Sequence, residues 1–410
     1  MKKHLGLLVA LALASCPAFS PAAEVLVVLG GEIHPAAGDV LKDGMIVVEN
    51  GKIVSVGPRT PIPTGAKVLD AAGCVVLPGF VAVALAGDPG GAKDFLSLTP
   101  DASALDMGSG ADLRRALLSG GITSLYVHPG TSKFLPGRGA IVKLGGDGVR
   151  VSVVRPEASL AVNFTPQAMR APLVDIFPAP IGPDNPPVPS RRQFPASSLE
   201  AYWGLRELLR AAPFDGELAA ATTSVSASLR RAVERKLPFI VGYGSPAEAE
   251  RMIELARDLD VPLILLAHDG TSELADALKA AGVSLIAPLS VGPPALLPDA
   301  GSEGPGAPLD PADVFVMIRK GLRVALCTRF EKDLPDLFRL TQYLQKHGLS
   351  SEELLRAVTI EPASMLGAGD RIGCLRQGRD ADILVFRKEG PGPFLRLKKV
   401  LIEGEIVYEE

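Results

Sequence analysis

The chain has 410 residues, a formal net charge of −4 and a sequence pI of about 5.9, which excludes the concentrated positive charge of a nucleic-acid binder. Hydrophobic residues make up 47% and charged residues 21%, a balance that excludes intrinsic disorder and supports a large buried core. The 36 prolines and 43 glycines imply many connections, as in a loop-rich α/β protein.

Residues 1–23 read as an export leader. Lys2 and Lys3 give a positive start, and the apolar run Leu5–Ala14 is too short to span a bilayer. Two exits are open. Leu13–Cys16 resembles a lipoprotein signal, with a lipid on Cys16 as the only membrane anchor. Cleavage among the small residues up to Ala23 instead releases a soluble chain from near Glu24, and Pro17 after Cys16 favours this form. Export, to the periplasm or beyond the cell, is expected either way. The remaining cysteines, Cys74, Cys327 and Cys374, lack CxxC spacing and are expected to be buried free thiols rather than zinc or redox ligands.

Residues 24–77 read as β throughout. Val25–Leu29 precedes a Gly30-Gly31 turn, and Asn50-Gly51 sits between the alternating runs of Met45–Val56, a strong hairpin signal because both residues tolerate positive φ. The tail repeats this style in Ala381–Phe386 and in Lys399–Tyr408, which turns at Glu403-Gly404. Neither block can bury two faces alone, so residues 24–77 and 371–410 are expected to form one composite β-sandwich.

From Leu77 onward the period changes. Phe80–Ala86 is a continuous apolar run ended by Gly87-Asp88-Pro89-Gly90, as expected for a buried strand and its turn. Helix over Ala111–Ser119, strand over Ile122–His128 and strand over Ala140–Leu144 follow. Residues 166–197 are proline-rich and read as a surface insertion. Ser198–Ala211 is helical and Pro238–Gly242 a strand. Ser245-Pro246 opens a helix to Asp258, and Pro262–His268 is a strand. Leu274, Ala277, Leu278 and Ala281 share one face of the next helix. Strands at Ser284–Ala287 and Leu322–Thr328 flank a helix begun by Asp310-Pro311, and Ser350 with Glu353 makes a capping box. Repeated βα units predict an α/β fold, a (β/α)8 TIM-like barrel over residues 78–370 with its active face at the strand C-termini.

Three stretches carry a family resemblance: Asp43–Gly57, Val68–Phe80, and Ala357–Gly367 continued by Arg371–Gly373 and Gly378–Val385. Together they resemble the amidohydrolase superfamily over nearly the whole mature chain. Gly121–Thr131 and Gly137–Leu144 look like its imidazolonepropionase-related branch. The resemblance implies metal-assisted hydrolysis of C–N bonds, with a bound divalent ion activating water and a last-strand aspartate moving the proton. It also implies a His-x-His pair on the first strand, further histidines ending the fifth and sixth strands, and a modified lysine on the fourth.

Position by position the chain departs from that pattern. The His-x-His pair falls on Ala84 and Ala86, the fifth-strand histidine on Gly242, the last-strand aspartate on Arg329, and the fourth-strand ligand near Ala161; only His268 matches a ligand position. A slipped alignment does not rescue the site. Of five histidines, His4 lies in the leader, His34 in the sandwich and His347 near a helix end, leaving His128 and His268 for the barrel. A guanidinium at Arg329 is never a ligand and repels a dication. No metal or other cofactor is therefore expected.

What remains allows two readings. In the first, the protein is an exported, catalytically degenerate member of the family that binds a small ligand or a partner. That partner is an active paralogue or a second copy. Here Arg329, with Lys332 nearby, holds an anion where the metal lay, or pairs with Asp88 or Glu331; His128 and His268 are hydrogen-bonded relics. In the second reading it hydrolyses C–N bonds of small amides, dipeptides or cyclic ureides, with His128 and His268 as an acid/base pair, Asp88 beside them, and zinc only in this case. Asp269 is expected to face away from the lumen. Lys143 either reaches the lumen or snorkels to the rim.

Overall fold

The computed structural model describes residues 24–85, 98–106, 111–145, 152–169, 194–210, 229–290, 309–389 and 395–410. The leader, Ala86, Asp88 and residues 170–193 of the proline-rich insertion lie outside these.

The first and last segments pair with each other. One sheet orders the strands Lys52–Pro58, Gly44–Glu49, Val25–Leu29 and Lys67–Asp70. A second sheet joins Cys74–Pro78 antiparallel to Ile383–Lys388, with Pro78 opposite Ile383. Val28, Ile46, Ile53, Val76, Ile383 and Leu401 fill the space between them. Both expected hairpin turns form, with φ of 49° and 76° at Asn50 and Gly51 and of 50° and 78° at Glu403 and Gly404.

The barrel is one eight-stranded sheet: β1 (Phe80–Ala84), β2 (Ile122–Val127), β3 (Gly137–Lys143), β4 (Ser152–Asn163), β5 (Phe239–Gly242), β6 (Leu263–Leu266), β7 (Ser284–Leu289) and β8 (Arg323–Thr328), paired in that order. β8 also packs beside β1, so the sheet nearly closes on itself. Around it lie α1 (Ala111–Ser119), α2 (Ser198–Arg210), α3 (Pro246–Leu259), α4 (Ala275–Ala280), α5 (Pro311–Arg319), α6 (Leu337–Lys346), α7 (Ser351–Ala357) and α8 (Ile360–Met365). All three expected helix starts are present: Pro246 follows Ser245 in a capping box, Asp310 caps the helix begun at Pro311, and Ser350 pairs reciprocally with Glu353.

One strand corrects the all-parallel expectation. β3 pairs antiparallel with both β2 and β4, while the other seven share one direction. The cause is chain length. Residues 128–136 and 144–151 are shorter than the roughly dozen residues that a parallel return requires. β4 itself has no counterpart in the pattern read above.

Side chains alternate between two environments. Val81, Val83, Tyr126, Ile141, Ile240, Ile264, Leu266, Ile286, Ala325 and Cys327 form the lumen cluster, joined by Ala363, Met365 and Leu366 from α8 and its end. Their neighbours, including Ala82, Ala84, Val241, Leu265, Leu285 and Leu326, face the helices. Cys327 and Cys374 are buried, Cys74 is half-buried, and none of the three is in a disulfide.

Candidate functional site at the barrel mouth

The lumen alternation decides which residues reach the strand C-termini. On β1 it selects Val83 and then Leu85, which packs against the lumen cluster. Ala84 belongs to the outer layer, so the register that matched it to a metal ligand is one residue off the lumen row. Neither Val83 nor Leu85 supplies a donor.

His128 follows β2 and extends its ladder, donating its backbone N–H to the Ala84 oxygen at 3.0 Å. Its ring meets that of Tyr126 edge-on at 6.3 Å, on the same face of the sheet. The side chain is fully buried, and burial pushes its pKa down to about 4, so the ring is neutral at pH 7. Nδ1 accepts the backbone N–H of Gly130 at 3.2 Å. The ring proton therefore resides on Nε2, which is buried and has no partner.

Asn163 ends β4 and is also fully buried. Its amide donates to the Gly130 oxygen at 3.2 Å and to the Lys133 oxygen at 2.8 Å, leaving Oδ1 without a partner. Gly130 is thus gripped from both sides, by His128 through its N–H and by Asn163 through its oxygen. Asn163 pairs with Gly242 across β4 and β5. A Cβ at Gly242 would lie 2.9 Å from Asn163 Oδ1, inside contact distance, so Asn163 takes the space of a fifth-strand side chain. Ala161, two residues earlier, is buried opposite Ile240 and brings no amine.

His268 follows β6. Nδ1 lies 2.7 Å from the Asp269 oxygen, an acceptor only, so in the neutral ring Nδ1 donates and Nε2 keeps a lone pair. That Nε2 is buried without a partner. Thr271 Oγ1 accepts the His268 backbone N–H at 2.9 Å and shares a 2.7 Å hydrogen bond with the Tyr243 hydroxyl. The Tyr243 ring lies 4.3 Å from the His268 ring. Asp269 is exposed. Among the described residues no hydrogen bond or ring contact joins His128 to His268, so the two do not form a proton-sharing pair.

Arg329 continues the lumen row after Cys327 and is half-buried, and burial lowers its pKa. Its backbone N–H donates to the Leu289 oxygen at 2.8 Å, beside Ser290, whose buried Oγ also lacks a partner. The guanidinium and the Lys332 ammonium lie 5.8 Å and 5.6 Å from the Phe330 ring centre. The other histidines are elsewhere: His34 meets Glu32 at 3.0 Å, and the His347 ring lies 4.7 Å from that of Tyr343.

Lys143 is neither at the mouth nor snorkelling. Because β3 runs backwards, its last residue lies opposite Ser124 and Ser152, at the N-terminal ends of β2 and β4. There the fully buried ammonium meets Asp380 at 2.6 Å, Asp382 at 3.0 Å and Glu403 at 3.1 Å. Arg371 and Lys52 also reach Asp380. Burial would raise the Asp380 carboxyl, but Lys143, Lys52 and Arg371 hold it below its usual value; burial raises Asp382, which has fewer cations.

These observations test the divalent ion that the sequence resemblance implies. At the ligand positions the described residues offer two imidazoles on separate strands, a cation, aliphatic groups and a glycine blocked by Asn163. No three or more His, Cys, Asp or Glu side chains among the described residues are grouped to hold a metal ion. That donor set does not fit the ion.

The fold and site define a TIM-like barrel carrying a composite β-sandwich. Residues 310–407 match the Amidohydrolase family. An amidohydrolase of Thermotoga maritima superposes with a TM-score of 0.74 at 20% identity, covering 94% of this chain and 100% of that one. Phenylurea hydrolase B superposes at 0.56 and 15% identity, covering 94% and 97%. A 5-methylthioadenosine/S-adenosylhomocysteine deaminase of Symbiobacterium thermophilum is 45% identical over 62 residues, only 14% of either chain.

Proposed function

We propose that this protein is an exported, degenerate amidohydrolase of the imidazolonepropionase-related branch, and that its barrel mouth binds a small ligand instead of hydrolysing it at a metal. The observation that carries this is the replacement of ligand positions by groups that occupy or repel. Asn163 fills the space at Gly242, and Arg329 brings a positive charge to the end of the last strand. The leader Lys2–Ala14 supports export. Arg329 favours an anionic group on the ligand, and an active paralogue or second copy is the partner to seek. Function follows the site and not the barrel.

The test is the metal content of the purified protein after supplying zinc, manganese and nickel and then dialysing. Less than stoichiometric metal is expected, and a full equivalent retained would overturn the proposal.

A second reading, hydrolysis at an atypical site, draws on the unpartnered Nε2 of His268, a lone pair able to accept a proton. Cleavage of a C–N bond that His268→Gln abolishes would favour it.

A further inference from the structure

A cleft of about 480 Å³ lies where the sandwich meets α6 and α7. It reaches Phe80, the first residue of β1, and so sits at the other end of that strand from the mouth. Helical spacing builds two of its walls. α6 gives Phe338, Thr341, Gln342 and Gln345, and α7 with its cap gives Ser351, Leu354, Leu355 and Val358, each set at i, i+3, i+4 and i+7. Val75 and Leu77, two residues apart on one sheet face, add apolar area from the sandwich. The rings of Phe80 and Phe338, both in the lining, stack with centres 5.9 Å apart and planes 20° apart. A concave space of this size, mostly apolar with a few polar groups, has the form of a small-molecule site.

The charges of the cleft are already paired. Glu32 meets His34 at 3.0 Å through one oxygen and Lys388 at 2.8 Å through the other. The Lys388 ammonium, with His34, holds the Glu32 carboxyl below its usual value against burial. Among the described lining residues Glu32, His34 and Lys388 are the only titratable ones, so an ionic ligand would enter without a free counter-charge, at a high desolvation cost. Two of the uncharged polar groups are also engaged: Gln345 donates to Ser351 at 2.9 Å, and Thr341 to the Phe338 oxygen at 2.7 Å. Gln342 has no hydrogen-bond partner among the described residues, so its amide offers the cleft a donor and an acceptor. We infer that this cleft is a second binding site, for an uncharged aromatic molecule whose one hydroxyl group bonds Gln342. The ring lies against the Phe80–Phe338 stack and the leucines, and the hydroxyl, like the amide, both donates and accepts. The site is separate from the barrel mouth and does not depend on how the mouth is read.

The experiment titrates the purified full protein with three probes of one ring system: 1-naphthol, 1-naphthoate and 1-naphthylmethylammonium. Calorimetry gives affinities, and nuclear Overhauser contacts from the ring protons to leucine methyls give the location. 1-Naphthol is expected to bind at least about tenfold more tightly than either ion, because it alone enters without an unpaired charge. Its ring protons should contact the methyls of Leu354 and Leu355, a readout that needs no variant. Leu355→Trp fills the cleft and should abolish binding. Gln342→Leu removes the amide and should weaken 1-naphthol by about fivefold while leaving the ions unchanged. Equal affinities for all three probes, no saturable binding of 1-naphthol, or contacts only to methyls outside the cleft would overturn the inference. An affinity for 1-naphthol that falls as protein concentration rises would assign the cleft to a second copy of the chain and overturn it as well.

Discussion

Lys143 Nζ lies 2.6 Å from Asp380 Oδ2, joining the lumen side of the barrel to the C-terminal half of the sandwich. Both side chains are fully buried, and Asp382 and Glu403 complete the ammonium's shell. Removing one partner strands the other charges in a dry place. Lys143→Met is expected to destabilise by roughly 3–5 kcal/mol, read from the urea midpoint. Adding Asp382→Asn should recover part of that loss, because the structure gives Asp382 no other cation within ion-pair distance among the described residues.

A buried neutral imidazole predicts an acid limb in the stability profile. His128 titrates near 4 in the fold against 6.5 when free. As pH falls the unfolded chain takes up the proton first. The contribution is complete above about pH 6.5 and is lost progressively toward about pH 4, by roughly 3 kcal/mol in all. His128→Phe should flatten that limb when melting temperature is followed from pH 7 to 4.

Restoring a side chain at Gly242 should harm the protein. The added Cβ would press on Asn163, which holds the Gly130 and Lys133 carbonyls. Gly242→Ala is expected to cost about 1–3 kcal/mol by thermal melting, as overpacking does. Gly242→His should cost at least as much and retain no metal after dialysis.

The start of α7 offers a local check. Ser350 accepts the Glu353 backbone N–H at 3.2 Å, and the Glu353 carboxylate accepts the Ser350 N–H at 2.8 Å. Ser350→Ala is expected to lower stability by about 1 kcal/mol in chemical denaturation.

The caps and hairpins were legible because their causes are local. Asn50-Gly51, Glu403-Gly404 and Ser350 with Glu353 each act within a few residues. β4 was hidden because Arg155-Pro156-Glu157 interrupts its apolar run, and its pairing with β3 carries register shifts. The small number of histidines could be counted from the sequence. The lumen register could not, since a shift of one residue turned Ala84 outward and Val83 inward. Asn163 gave no signal at all: its importance lies in Gly130, Lys133 and Gly242, brought beside it only by the fold. The partners of Lys143 are equally distant in sequence.

The reversed strand β3 gives the barrel a polarity that its sequence period conceals. Seven strands deliver their last residues to the open end, whereas β3 delivers its first, Gly137, and carries Lys143 to the closed end. A mouth built from seven termini instead of eight has a gap in its ring of functional positions between β2 and β4. His128 and Asn163 are the two residues flanking that gap, and both hydrogen-bond to Gly130, His128 from two residues away in the same loop and Asn163 from the far strand. The same turnabout that anchors the base of the molecule thereby makes two non-adjacent strands into neighbours at its rim.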